Sequence, residues 1–184
     1  MIENGIELSF SGQAKVEDAH EDEEDYDEEL NEIEVRIDER EFSGQLKVFK
    51  GGISVLDIGA APGSWSQYAS KIVKNGKIIS LDLKEMENIK NTIQIKGDFT
   101  DLNIQKKIKG LLSNKLDVVM SDMAVNTTGI KNIDSIQTGE LCKEAMFFAK
   151  DLMKENGYFI SKIFMGGTFN EIVAEGKKYF KEVK

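Results

Sequence analysis

Val55-Leu56-Asp57-Ile58-Gly59-Ala60-Ala61-Pro62-Gly63-Ser64-Trp65 is the stretch on which the fold is read. A short apolar run ends in an acid and a turn bounded by Gly59 and Gly63, and helix-compatible residues begin at Ser64. Glycine at those two places permits a tight turn and a close backbone approach to a ligand. The turn is not Gly-x-Gly-x-x-Gly, and no Gly-Lys-Ser/Thr follows it. The dinucleotide fingerprint and the P-loop are both excluded, and the loop suits a ligand without a pyrophosphate.

The flanking text repeats the same grammar. Apolar runs at Ile53–Ile58, Lys77–Leu81, Ile93–Ile95, Leu116–Met120 and Tyr158–Ile163 predict buried strands. Helices are predicted over Ser64–Lys74, Leu102–Leu112, Ser135–Lys154 and Phe169–Phe180, with Lys154-Glu155-Asn156-Gly157 as a helix stop before the last strand. Strands that alternate with helices give crossover units, hence an α/β fold with a mostly parallel, doubly wound sheet. Strands apolar throughout are those covered on both faces.

In such a sheet ligands bind at the carboxyl ends of the strands. The second run ends in Asp82, placed to accept both hydroxyls of a ribose. The third ends in Asp98-Phe99, an acid for an amino group and a ring for stacking. The fourth ends in Ser121-Asp122-Met123-Ala124, and the fifth holds Ser161-Lys162-Ile163-Phe164. Singly, each Asp is more often a helix cap or a solvated turn residue. Together they point to one ligand site shared by successive strand ends.

The N-terminal part reads differently. Residues 1–46 hold 17 acidic and 3 basic side chains, a net −14, against 16 acidic and 21 basic, a net +5, in residues 47–184. Two units are predicted accordingly: an acidic, partly disordered segment 1–46 and a folded α/β domain 47–184. Glu17 to Glu29 is an almost unbroken acidic block that contains the single histidine, His20, and self-repulsion keeps such a block solvated. Ile33–Ile37 alternates apolar and charged residues and could pair at a sheet edge. Phe10–Val16 is echoed by Phe42–Val48, short of the three copies a solenoid needs. One cysteine, Cys142, excludes an internal disulfide, and with one histidine it cannot build an ordinary zinc site. No signal peptide or membrane span is read, so a cytoplasmic, metal-free monomer is expected.

Val55–Gln67 closely resembles the first motif of the FtsJ/RrmJ family of S-adenosylmethionine-dependent RNA ribose 2′-O-methyltransferases, and Val118–Ala124 and Lys162–Phe164 resemble its later motifs. The spacing is similar to that of the bacterial members that methylate a uridine of large-subunit ribosomal RNA. The resemblance implies a Rossmann-like methyltransferase fold, S-adenosylmethionine as cofactor, and ribosomal RNA or the large ribosomal subunit as partner. It implies cofactor contacts at Gly63, Trp65, Asp82, Asp98 and Asp122, beside Gly59 of the turn. It also implies catalysis by Lys162 as general base, with Asp122 orienting it. The sequence departs from the family pattern in two ways. Asp38 stands where a catalytic lysine is expected upstream of the first motif, and Lys184 is reached before the late-strand glutamate and the final antiparallel strands. The alternative reading is a truncated, non-catalytic domain that binds the cofactor but lacks half of the catalytic tetrad.

Overall fold

The computed structural model describes residues 5–7, 48–123, 131–163 and 168–183. The strands are β1 (Gly5–Glu7), β2 (Ser54–Ile58), β3 (Lys77–Asp82), β4 (Thr92–Lys96), β5 (Leu116–Ser121), β6 (Met153–Ser161) and β7 (Glu182–Val183). The helices are α1 (Ser64–Ile72), α2 (Leu102–Leu111), α3 (Lys131–Leu152) and α4 (Phe169–Tyr179). One sheet runs in the order β4-β3-β2-β5-β6-β1-β7, and its strand pairs are parallel. The chain winds outward through β2, β3 and β4, then returns to place β5 on the other side of β2. That reversal is the topological switch point, and it lies between β2 and β5.

Side chains alternate across the strands, and both faces are buried. Leu56 and Ile58 of β2, Ile79 and Leu81 of β3, Val119 of β5 and Phe159 of β6 face one core, which α2, α3 and α4 cover. Val55, Ile78, Val118, Met120 and Ile160 face the other, which α1 and residues 48–53 cover. Each helix meets its core with a stripe at helical spacing: Trp65, Ala69 and then Val73 for α1, and Cys142, Ala145, Met146 and Ala149 for α3. Asp101 caps α2 by accepting a hydrogen bond from the Asn103 backbone N–H at 2.8 Å.

One expectation needs correction. The residues Lys154–Gly157, read as a helix stop, lie inside β6, because α3 already ends at Leu152. The pairing slips there, from Leu116 opposite Met153 to Val118 opposite Tyr158, so the polar residues occupy an irregularity in a strand. The sheet edge beside β6 is filled by Gly5–Glu7, with Glu182–Val183 outside it. The stretch Ile33–Ile37, considered for that place, lies outside the described residues, as does Asp38. No antiparallel strand pair occurs among the described residues.

Candidate active site

A cavity of about 500 Å³ opens at the carboxyl ends of β2, β3, β4 and β5. Its wall includes Gly59 of the turn, Asp82, Asp98 and Asp122, so one space gathers four of the residues singled out from sequence. Leu83, Phe99, Met123 and Leu141 supply apolar surface, and Leu83 is 65% exposed.

Backbone bonds continue past the strand ends and set these side chains in place. Gly59 and Ala60 N–H both donate to the Leu81 carbonyl, at 2.9 and 3.1 Å. Asp122 N–H donates to Ile58 O at 3.1 Å, and Lys162 N–H donates to Ser121 O at 3.0 Å. Gly59 has φ 77°, and a Cβ built there would lie 2.5 Å from Met123 Cγ and 3.0 Å from the Met123 backbone. Only glycine allows the turn after β2 and the chain after β5 to come this close.

Asp82 uses both oxygens on the backbone. Oδ2 accepts from Ala61 N–H at 2.9 Å and Oδ1 from Lys84 N–H at 2.8 Å. A carboxylate has about four acceptor positions, so lone pairs remain for a ligand. Asp98 is exposed, and its Oδ1 accepts from the backbone N–H and the hydroxyl of Thr100. Asp122 Oδ1 lies 3.4 Å from Lys162 Nζ, with the two side chains 30% and 25% exposed. Burial raises the Asp122 carboxyl above the usual carboxylate range, and the Lys162 cation pulls against that rise.

Two of the expected contacts lie off the cavity wall. Gly63 is buried at the start of α1, where a Cβ would meet Ile89 Cδ1 at 2.9 Å. Trp65 is buried in the α1 core because it belongs to the inward stripe that continues to Ala69. Sequence reading passed over Leu141, which reaches the cavity from α3, a helix read only as core. It also passed over the polar group behind the turn. Asp57 is fully buried on the α1 face of β2 and accepts a 2.6 Å hydrogen bond at Oδ2 from the Ser66 hydroxyl, which lies 2.5 Å from that of Ser80. Burial pushes the Asp57 carboxyl up to about 7. Ser66 opposes this, and the Asp122 and Asp82 charges add to it. The signal was present as polar residues at 57 and 80 inside apolar runs, with a serine at 66 between the inward-facing Trp65 and Ala69 of α1.

A parallel α/β sheet with a glycine turn and strand-end carboxylates around one cavity at its switch point defines a Rossmann-like methyltransferase. A structure described as a ribosomal RNA methyltransferase of Plasmodium falciparum superposes with TM-score 0.68 at 31% identity, covering 74% of this chain and 80% of that one. "Ribosomal RNA large subunit methyltransferase E" of Pelagibacter ubique is 64% identical over 150 residues, which are 82% of this chain and 71% of the relative. The protein of the same name in Rickettsia felis is 45% identical over 78% of this chain and 66% of its own length. The FtsJ-like methyltransferase profile matches residues 37–184, and the chain belongs to that family. Among the described residues no helix is long and apolar enough to cross a membrane.

Proposed function

We propose that this chain binds S-adenosylmethionine in the cavity and transfers its methyl group to a ribose 2′-hydroxyl of RNA, specifically a uridine of large-subunit ribosomal RNA. It does so in the cytoplasm, as a monomer and without a metal, with residues 47–184 as the methyltransferase domain and 1–46 as an acidic segment attached to it. The observation that carries this reading is the Lys162–Asp122 pair at 3.4 Å, with Asp122 in the wall of the cavity that the glycine turn bounds.

The residues present fit the cofactor. A cavity of about 500 Å³ is in the range of small-molecule sites. The spare lone pairs of Asp82 suit a ribose diol, Asp98 an adenine amino group, and Leu83, Phe99, Met123 and Leu141 the ring. Gly59 lets the backbone approach the methionyl end, with Gly63 and Trp65 supporting the turn from behind. S-adenosylmethionine supplies a methyl group activated on a sulfonium.

The chain supplies position and proton transfer. A ribose hydroxyl is a weak nucleophile, so holding it in line with the methyl accounts for much of the acceleration. Lys162 Nζ, in its neutral amine form after giving up its own proton to solvent, takes the hydroxyl proton as the oxygen–methyl bond forms and the sulfur–methyl bond breaks. Asp122 holds that amine in place and stabilises the ammonium that results.

Methyl transfer from tritiated cofactor to undermethylated ribosomes tests the reading. The chain is expected to label ribosomal RNA at a 2′-oxygen. Lys162→Ala is expected to lose about 100-fold or more in rate while cofactor binding is kept. Undiminished transfer by that variant removes Lys162 from the chemistry. Cofactor binding without any transfer by the unaltered chain favours the non-catalytic alternative.

A further inference from the structure

The polar group behind the turn is not used by the chemistry above. Asp57 stands in register with Ser80 of β3 and Met120 of β5, on the face that α1 covers. Its surroundings in that layer are apolar: Val55, Ile78, Met120 and Trp65 are all buried there. Ser66, in the first turn of α1, donates to Oδ2, and the Ser66 and Ser80 hydroxyls bond to each other. Oδ1 has no hydrogen-bond partner among the described residues. An amide or a hydroxyl could tie α1 to β2 without this desolvation cost. What a carboxyl adds at the position is charge.

The other charges around the site leave that role to Asp57. Toward it, β3 brings Asp82, whose oxygens are engaged by Ala61 and Lys84 N–H. From β5 comes Asp122, which the Lys162 cation offsets. Lys84 and Asp98, one of each sign, also line the cavity. From α1 the contact is the Ser66 hydroxyl. Asp57 thus has no cation as a hydrogen-bond or ion-pair partner among the described residues, and it directly precedes Ile58 and Gly59 of the cavity wall.

We propose that Asp57 is a positioning residue that also selects charge. Clamped by Ser66 and Ser80 under the first turn of α1, its carboxylate sets a negative field behind the glycine turn, so the cavity prefers a sulfonium methyl donor to the neutral thioether left after transfer. This rests on the cofactor reading above. It gives the site a way to release product: transfer removes the positive charge that Asp57 attracts, while every neutral contact stays the same.

Calorimetric dissociation constants for S-adenosylmethionine and S-adenosylhomocysteine measure the preference. In the unaltered chain the ratio of the thioether's dissociation constant to the sulfonium's is expected to fall about fivefold or more between about pH 8 and about pH 6, as the carboxyl takes up a proton. Asp57→Asn is expected to show the low ratio at both pH values, with its affinity for the thioether within about twofold of the unaltered chain. Ser66→Ala keeps the carboxyl and removes its hydrogen bond, so it should keep the ratio at high pH and lose it at a higher pH than the unaltered chain. That variant decides the matter if Asp57→Asn does not fold, because Ser66 touches Asp57 and not Asp122. Equal weakening of both ligands by Asp57→Asn marks a merely structural residue and overturns the proposal. A ratio constant with pH in the unaltered chain overturns it as well, with the cofactor reading left standing. Failure of the folded chain to bind either ligand at any pH overturns both.

Discussion

Asp57 makes stability itself depend on pH, and the sign follows from where its proton sits. The group is 0% exposed, and its carboxyl is pushed from an ordinary value near 3.8 up to about 7, chiefly by burial. Between those values the folded chain binds a proton that the unfolded chain has released. Folding is therefore favoured at the acid end of the window and loses stability as pH rises through it. Above about pH 8 both states are ionised and the loss is complete, at an upper limit of about 4 kcal/mol for a shift of this size. Urea unfolding at a series of pH values should show the unaltered chain weakening from about pH 5 to about pH 8, with Asp57→Asn much flatter over the same range. Parallel curves for the two proteins would assign the pH dependence to other groups. Burial raises Asp122 too, so a smaller slope of the same sign should survive in the variant.

At the scale of elements, two helical glycines with opposite surroundings test how the helices are held. Gly139 of α3 faces α4, where a Cβ would come 2.8 Å from Thr168 Oγ1 and 3.0 Å from Thr168 Cβ. Thr168 cannot yield cheaply, since its hydroxyl donates to Ser135 O at 3.1 Å and its branched Cβ is stiff. Gly139→Ala should therefore push α4 away and destabilise the chain by about 1–3 kcal/mol despite the better helix propensity. Gly110 of α2 has nothing within 4 Å of such a Cβ, so Gly110→Ala should stabilise by up to about 1 kcal/mol. Denaturant midpoints that move the same way for both would refute the close packing of α3 on α4. The elements legible in the sequence were those with strong local signals. Val55–Ile58 and Leu116–Met120 are apolar runs interrupted once each, by Asp57 and Asp117, and the stripe of α1 starts directly after a glycine turn. The strand ends then followed, and with them Asp82, Asp98 and Asp122 around one cavity. What escaped was set by distant partners. Gly5–Glu7 is three residues long and becomes a strand only because β6 is beside it. Lys154–Gly157 carries helix-stop residues, yet β5 holds it in the sheet across a slipped register. Trp65 belongs to a motif read as a ligand contact, and the inward stripe of α1 turns its ring into the core instead.

At the scale of the whole molecule, charge is divided between two parts of one chain. The net −14 of residues 1–46 is joined to a body of net +5, and the overall value of −9 conceals the division. The FtsJ-like match over residues 37–184 takes in the whole of that body. For an RNA substrate the two parts act in opposition. Phosphate contacts supply most of the affinity and release counterions, so attached negative charge subtracts from it at low salt. The subtraction is a field effect and carries the signature of screening, with a Debye length near 10 Å at 0.1 M salt. Ten acidic side chains lie from Glu17 to Glu29, and exchanging them for Asn and Gln removes most of the net charge while Asp82, Asp98 and Asp122 stay as they are. That variant should bind a ribosomal RNA fragment several-fold more tightly at about 0.05 M salt, and the gap should close by about 0.3 M. Its dissociation constant for S-adenosylmethionine should stay the same throughout, because Asp82, Asp98 and Asp122, the acids of the cavity wall among the described residues, are unchanged. Equal RNA affinities at low salt, or a gap that persists at high salt, would show that the acidic stretch does not oppose RNA through its charge.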